Sequence, residues 1–414
     1  MEWEEVQRLV ADAVRELRRG ASDEEPRGSQ VIALVNAILD TALAEEATDI
    51  HLEPVNGGLR IRMRVDGMLR ERPIRFPSEL APVIIARLKV MAGIDTAKRN
   101  RPQDGQIRYR SGNRPIDMRV AVLPVVDGER MVVRIMDARE CFLRCEELDF
   151  TARNQELFER LIHRPTGLLL LCGPMNSGKT TTLYAALSAL NEPSCHIMTL
   201  EDPVERRIDG ISQFQVNPEA GLTFVTGLRA ALRQDAQKIL LGEIRDRETA
   251  EMAVRIALTG HALFSTLHTE DTVSAVFRMI EMGVPSYLLA ATLSGVIAQR
   301  LVRRICPHCR EEYAVPVGAR EAVQLGELYH EGLHLVRGRG CTHCHGTGYR
   351  GRMAIHEVLP ISEPIRAAIL AGCDKESLRR AAVKDGMETL WQDGAAKACA
   401  GETTIAEVAR ALYG

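Results

Sequence analysis

The chain has no apolar run approaching the roughly 20 residues that a helix needs to span a bilayer. Its nearest candidate, Tyr287 to Val302, is interrupted by Ser294, Gln299 and Arg300. There is no surplus of positive charge either. The formal net charge is −3, which withholds the electrostatic attraction that bulk nucleic-acid binding depends on. The N-terminal stretch MEWEEVQRLV is acidic and amphipathic, unlike a secretory signal. No internal repeat and no long low-complexity tract interrupts the chain. Together these absences predict a cytosolic protein of two or three domains, each with its own core.

Cysteine, by contrast, is plentiful. Of the ten cysteines, four form two C-x-x-C pairs and six are scattered. In a reducing compartment that pattern points to metal binding rather than to a disulfide framework. Cys306-Pro-His-Cys309 and Cys341-Thr-His-Cys344 are separated by 31 residues. Four thiolates suit tetrahedral structural Zn²⁺ and leave no open position for catalysis. His308, His343 and His345 stand close enough in sequence for one of them to replace a cysteine. Arg300, Arg303, Arg304 and Arg310 cluster beside the first pair, and their plain reading is a solvated face.

Along the chain, Val6, Leu9, Val10, Ala13, Val14 and Leu17 fall at helical spacing. With the polar linker after it, this helix occupies residues 1–28. Its plain reading is a helix packed on its own domain, and docking of a cytoplasmic partner stays open because a linker follows. Residues 29–140 read as an α+β, PAS-like domain. There Leu59, Ile61, Met63 and Val65 alternate with Arg60, Arg62 and Arg64, as in a strand with one buried and one arginine face. Asp66-Gly67, Gly112-Asn113 and Asp127-Gly128 sit where hairpin turns belong. A linker covers 141–150. Strands and helices then alternate over 151–302, which predicts a wound α/β core. A tetracysteine module over 303–357 and short helices over 358–414 complete the chain.

The stretch LLLLCGPMNSGKTTTLYAAL carries the chemistry. Gly173 to Thr180 fits G-x-x-x-x-G-K-[ST], with a buried-strand run before it and a helix after it, the context that the motif requires. Backbone N–H groups and the helix N-terminus would cradle phosphates. The cradle residues are Gly173, Asn176, Ser177, Gly178, Lys179, Thr180 and Thr181. Lys179 would neutralise the β- and γ-phosphates, and the Thr180 hydroxyl would ligate Mg²⁺. Two acids follow strands. Glu243, in ILLGEIRD, is assigned to polarising water, and Glu201, in IMTLEDPVE, to the Mg²⁺ or water shell. His261 and His268 flank a third strand and are candidates to sense the γ-phosphate or orient water.

These residues together resemble the secretion ATPases of bacterial type II secretion and type IV pilus assembly. The resemblance runs from about Ser29 to the end, through ATDIHLEP, RIRMRVDGML, RPQDG, DMRVAVLP, the phosphate loop, LEDPVE, ILLGEIRDRETAE, TGHALFSTLHT, QRLVRRICPHC and CTHCHGTGYRGR. It implies a P-loop, RecA-like fold and hydrolysis of ATP, with Mg²⁺ and Zn²⁺ as cofactors. It also implies a homo-hexameric ring in the cytoplasm, peripheral to the inner face of the cell membrane. There it would drive an inner-membrane platform protein that polymerises pilin-like subunits, and no direct nucleic-acid partner is expected. In such proteins arginines of the N-terminal domain complete a nucleotide site. The matching positions are Arg101 and Arg119, with Arg64 behind them.

The sequence departs from the family in four places. Met175-Asn176 replaces the usual Thr-Gly, Ala236-Gln237 replaces the last two residues of Asp-Pro-Asp, and Glu270 replaces an Asn. Only the first helix stands where many members carry an extra N-terminal domain. Asn tolerates the left-handed backbone that Gly would supply, so the loop is expected to keep its grip. Two other readings share the loop. One is a retraction or motility motor of the same superfamily, whose members generally lack the four cysteines. The other is a nucleotide switch or DNA-handling protein, against which the charge balance and Glu243 both stand.

Overall fold

The computed structural model describes residues 3–19, 28–72, 74–136 and 143–414. The chain forms two compact units, Met1–Arg139 and Glu140–Gly414.

The first unit begins with α1 (Trp3–Arg19) and α2 (Ser29–Ala44), followed by β1 (Asp49–Val55), β2 (Gly58–Val65), β3 (Met68–Glu71) and β4 (Phe76–Pro77). After α3 (Ala81–Met91) come β5 (Gln103–Ser111), β6 (Arg114–Val125) and β7 (Gly128–Met136). The strands form one antiparallel sheet in the order β3-β2-β1-β7-β6-β5, with β4 added on β2. The three expected turns join β2 to β3, β5 to β6 and β6 to β7. Leu59, Ile61, Met63 and Val65 of β2 face the core. The arginines between them face the other side, opposite Asp49, His51 and Glu53 of β1.

The apolar stripe of α1 is used within its own unit. Val6, Val10 and Ala13 are buried in the core that α2 shares. The Glu16 carboxylate accepts from the backbone N–H groups of Gly28, Ser29 and Gln30 at 3.0–3.1 Å, supplying the first turn of α2 with the acceptors it lacks. Leu9 and Val14 are half-buried, and Leu17 at the end of the stripe is exposed. The helix is thus packed on its own domain, as its plain reading expects.

The second unit contains α4 (Ala152–Ile162), β8 (Gly167–Cys172), α5 (Lys179–Leu190), β9 (Ile197–Glu201), β10 (Ser212–Gln215), α6 (Phe224–Ala231) and β11 (Lys238–Leu241). It continues with α7 (Arg247–Leu258), β12 (Ala262–Leu267), α8 (Thr272–Glu281), α9 (Ser286–Thr292) and β13 (Leu293–Ile305). The sheet order is β10-β9-β11-β12-β8-β13 and then a seventh strand, and the first six are parallel. The last, β16 (Tyr349–Pro360), runs antiparallel to β13. Between these two neighbours lies the cysteine module, built on the hairpin of β14 (Arg310–Ala314) and β15 (His334–Gly338), with α10 (Arg320–Leu325) between its strands. The module is thus an insertion between adjacent core strands. The sheet reclaims residues 349–360 because Met353 to Leu359 are all buried. Helices α11 (Glu363–Leu370), α12 (Lys375–Lys384), α13 (Leu390–Cys399) and α14 (Ile405–Tyr413) close the unit.

The stretch from Tyr287 to Val302 is α9 without its first residue, followed by most of β13. Among the described residues no helix is long and apolar enough to cross a membrane.

Candidate nucleotide site and cysteine cluster

In a parallel sheet every strand ends at the same edge, and the loops beyond those ends line one crevice. Here that edge gathers the phosphate loop after β8, Glu201 at the end of β9, Gly242-Glu243 after β11 and His268 after β12.

The phosphate loop bends through three residues of positive φ: Gly173 at 154°, Asn176 at 62° and Gly178 at 86°. Asn176 therefore adopts the left-handed backbone expected for it, and Met175 beside it is 80% exposed. Burial pushes the Lys179 ammonium down to about 8. Its Nζ donates to the carbonyls of Gly173 and Pro174, both at 2.8 Å, crossing the loop it belongs to. Ser177 Oγ is buried with no hydrogen-bond partner among the described residues. The Thr180 hydroxyl, the expected Mg²⁺ ligand, donates to Glu205 at 3.4 Å. Glu205 was missed by sequence reasoning, although it stands in the same LEDPVE segment as Glu201.

Glu201 is placed differently from its expectation. Its carboxylate is buried and accepts from Thr199 Oγ1 at 2.6 Å, from Gln213 Nε2 at 3.2 Å and from the Tyr184 hydroxyl of α5. A carboxylate so engaged fixes α5 against β9. Glu205, by contrast, touches Thr180 directly.

Glu243 is held from both sides. The backbone at 242–244 is stitched to both neighbouring strands: Gly242 N–H donates to Leu200 at 2.8 Å and Ile244 N–H to Thr266 at 3.0 Å. A Cβ at Gly242 would lie 3.2 Å from the Leu200 carbonyl oxygen, a tight approach to the neighbouring strand. One carboxylate oxygen of Glu243 pairs with Arg245, and the other lies 3.4 Å from His268 Nε2. The Arg245 guanidinium holds the Glu243 carboxyl below the usual carboxylate range.

His261 is not brought to this site. It precedes β12, at the amino edge of the sheet, and its Nδ1 lies 3.1 Å from Thr259 Oγ1. A strand of six residues separates it from His268, which is about 20 Å at the usual rise. A strand carries one of two flanking residues to each edge of a sheet, so only His268 meets the phosphate loop. Asp235-Ala236-Gln237 precedes β11 at that same amino edge. There Ala236 is core and Gln237 accepts from the His196 N–H. Glu270 contributes its backbone carbonyl, which accepts from Arg300 at 2.7 Å.

Arg101 and Arg119 belong to the first unit. Arg101 is exposed. Arg119 lies on β6 opposite Arg134 and forms no ion pair among the described residues. Arg64, on the same sheet, pairs with Asp49 at 3.4 Å.

The four cysteines meet. Cys306 and Cys341 Sγ are 3.9 Å apart, Cys309 and Cys344 Sγ 3.8 Å, and Cys341 and Cys344 Sγ 3.7 Å. Four sulfurs at about 2.3 Å from a central ion would be about 3.8 Å apart, so the cluster has the edge length of a tetrahedral site for one metal ion. Burial raises the Cys344 thiol, but N–H donation from Cys341 and Gly348 prevails and brings it down to about 6. The candidate metal group among the described residues comprises the four cysteines alone. His308 and His343 instead stack on each other at 3.9 Å.

The neighbouring arginines are not a solvated face. Arg303 pairs with buried Glu407 at 2.7 Å, Arg304 reaches Asp149 and Glu402, and Arg300 is buried. Only Arg310 is exposed.

Known proteins resemble this chain over most of its length. The family described as type II/IV secretion system protein matches residues 24–410. A putative type II secretion system protein E of Escherichia coli is 46% identical over 389 residues, covering 93% of this chain and 78% of that protein. The type IV pilus assembly ATPase PilB of Thermus thermophilus is 42% identical over 374 residues, covering 90% of this chain and 42% of that protein. In fold, the chain is similar to the solved ATPase DotB of Legionella pneumophila. That match has a TM-score of 0.69 at 20% identity, covering 91% of this chain and 94% of that one.

Proposed function

The chain belongs to the type II/IV secretion system protein family and is an ATP hydrolase of its secretion and pilus-assembly kind; from that membership we propose that hydrolysis drives a mechanical cycle in a homo-hexameric ring. The ring works at the cytoplasmic face of the inner membrane, on a platform protein that polymerises pilin-like subunits. The observation that carries the reading is the meeting of four strand ends, with Glu243 held between Arg245 and His268 beside the phosphate loop.

Each residue then has a part. The loop backbone and Lys179 hold the phosphates of ATP. Mg²⁺ bound by Thr180, with Glu205 beside it, would offset phosphate charge. Glu243 accepts the proton of the attacking water, and His268 keeps the carboxylate turned toward it. Glu201 acts through Tyr184 as a positioning residue of α5. Arg119 and Arg101, from the N-terminal unit of the same or a neighbouring chain, supply positive charge to the transferring phosphate. Arg64, already paired with Asp49, is a reserve. Zn²⁺ held by Cys306, Cys309, Cys341 and Cys344 supplies no chemistry and pins the inserted module.

A steady-state phosphate-release assay tests the reading. Wild type should turn over ATP, and E243Q should bind nucleotide normally while losing at least about a hundredfold in kcat. If E243Q turns over as wild type does, or wild type shows no release above it, the motor reading falls.

A further inference from the structure

We propose that Gln299 is the residue that presets the phosphate loop before nucleotide arrives. In sequence it is the polar break in the apolar strand LSGVIAQRLV, and a buried amide is costly unless both its ends find partners. Gln299 is 2% exposed, and both ends are satisfied. Its Nε2 donates to the Ser177 carbonyl at 2.8 Å, and its Oε1 accepts from Thr182 Oγ1 at 2.7 Å. One side chain from β13 thus grips the loop just before its second glycine and the helix just after it.

The consequence follows from the planarity of the peptide. The carbonyl of Ser177 and the N–H of Gly178 belong to one trans peptide and point in opposite directions. Pinning the carbonyl toward Gln299 turns the N–H the other way, away from β13. Left unpinned, the loop would have to order this peptide on binding, and that entropy would weaken affinity. The loop glycines fit the same strut. A Cβ on Gly173 would lie 2.5 Å from the Gln299 carbonyl oxygen, and one on Gly178 would lie 2.7 Å from its Nε2. That carbonyl also accepts from Arg300 at 3.1 Å, and Arg300 donates onward to Glu270, two residues past His268.

The inference rests on the loop being the nucleotide site, and the experiment separates the two. Nucleotide titrations with ADP and ATP and steady-state kinetics are run on the full chain carrying Q299L, with K179A and V302A beside it. Q299L should weaken ADP and ATP together by about tenfold and raise KM to match, with kcat at saturation within about threefold. V302A makes a cavity in the same strand away from the loop. It should lower thermal stability with affinity unchanged, which separates positioning from general loosening. If Q299L does not fold, T182V removes one of the two bonds from the opposite side, and about a threefold loss of affinity is expected. Unchanged affinity in the folded variant, a loss of kcat with KM unmoved, or an equal affinity loss in V302A would overturn the proposal. If K179A binds both nucleotides as wild type does, it is the reading of the loop itself that fails.

Discussion

Each unit is built on a seven-stranded sheet, and the two sheets hold charge in opposite ways. In the first unit the sheet is antiparallel with one apolar and one charged face, and charge lies along the strands. Arg60, Arg62 and Arg130 converge on Glu53, while Arg64 and Arg134 pair with Asp49. In the second unit the central parallel strands are covered on both faces, so their interiors are apolar and charge gathers just past their ends. Leu168 to Cys172 are all buried, and Lys179, Glu205, Glu243 and His268 come after strands rather than within them. A dense cationic surface needs a sheet face turned away from the apolar core. Acid–base chemistry needs strand ends, where loops can hold a carboxylate close to a ligand.

The largest expected effect falls on the second sheet alone, because only it carries an insertion gathered by thiolates. Metal analysis after mild purification should find about one zinc per chain. Stripping it, or making C306S/C341S, should unfold the module and lower the melting transition of the second unit, leaving the first unit's transition in place. Metal-free protein that melts like the untreated chain would refute the zinc assignment.

An intermediate effect is expected at the buried acid of the first sheet. Burial raises the Glu53 carboxyl, but the Arg62 and Arg60 guanidinia outweigh it and hold it below its ordinary value. The folded state therefore gains from the ionised form above the unfolded carboxylate range, and that gain is lost as pH falls through the folded value. E53Q should cost about 1 kcal/mol at neutral pH, allowing for partly exposed arginines. Denaturant titrations should show the gap between E53Q and wild type closing below about pH 4. A gap independent of pH would mean that Glu53 acts by shape rather than by charge.

The smallest effect on stability belongs to Arg119, which pairs with no acid among the described residues. R119A should shift the denaturation midpoint by less than about 0.5 kcal/mol in free energy. Yet it should abolish phosphate release while keeping nucleotide affinity within a few-fold, if that arginine serves the transition state. Unchanged turnover would return it to an ordinary surface arginine.

Much of this was legible in the chain, for identifiable reasons. The phosphate loop is a contiguous motif whose function lies in its own backbone, so eight residues and their flanks suffice. The alternation in β2 and the turn residues around it are equally local. The two histidines were not separable by sequence, because both flank one strand and only the strand's direction decides which edge each reaches. Glu201 and Glu205 share a segment, and their burial and partners, not their spacing, set them apart. The arginines near Cys306 read as surface until Glu407 and Asp149, about 100 and 155 residues distant, were folded against them.

The sequence by itself determined the chemistry that contiguous residues can carry: a phosphate-gripping loop with Asn176 tolerable in the left-handed region, two thiolate pairs, and an arginine-faced strand. The tertiary structure decided which side chains share a place. It brought Gln299, more than a hundred residues away in sequence, beneath the loop, set Glu205 beside Thr180, and sent His261 to the far edge. The physical reason is that backbone geometry is encoded over a few neighbours. A buried hydrogen bond between distant strands exists only once the sheet order is fixed, and no local pattern specifies that order.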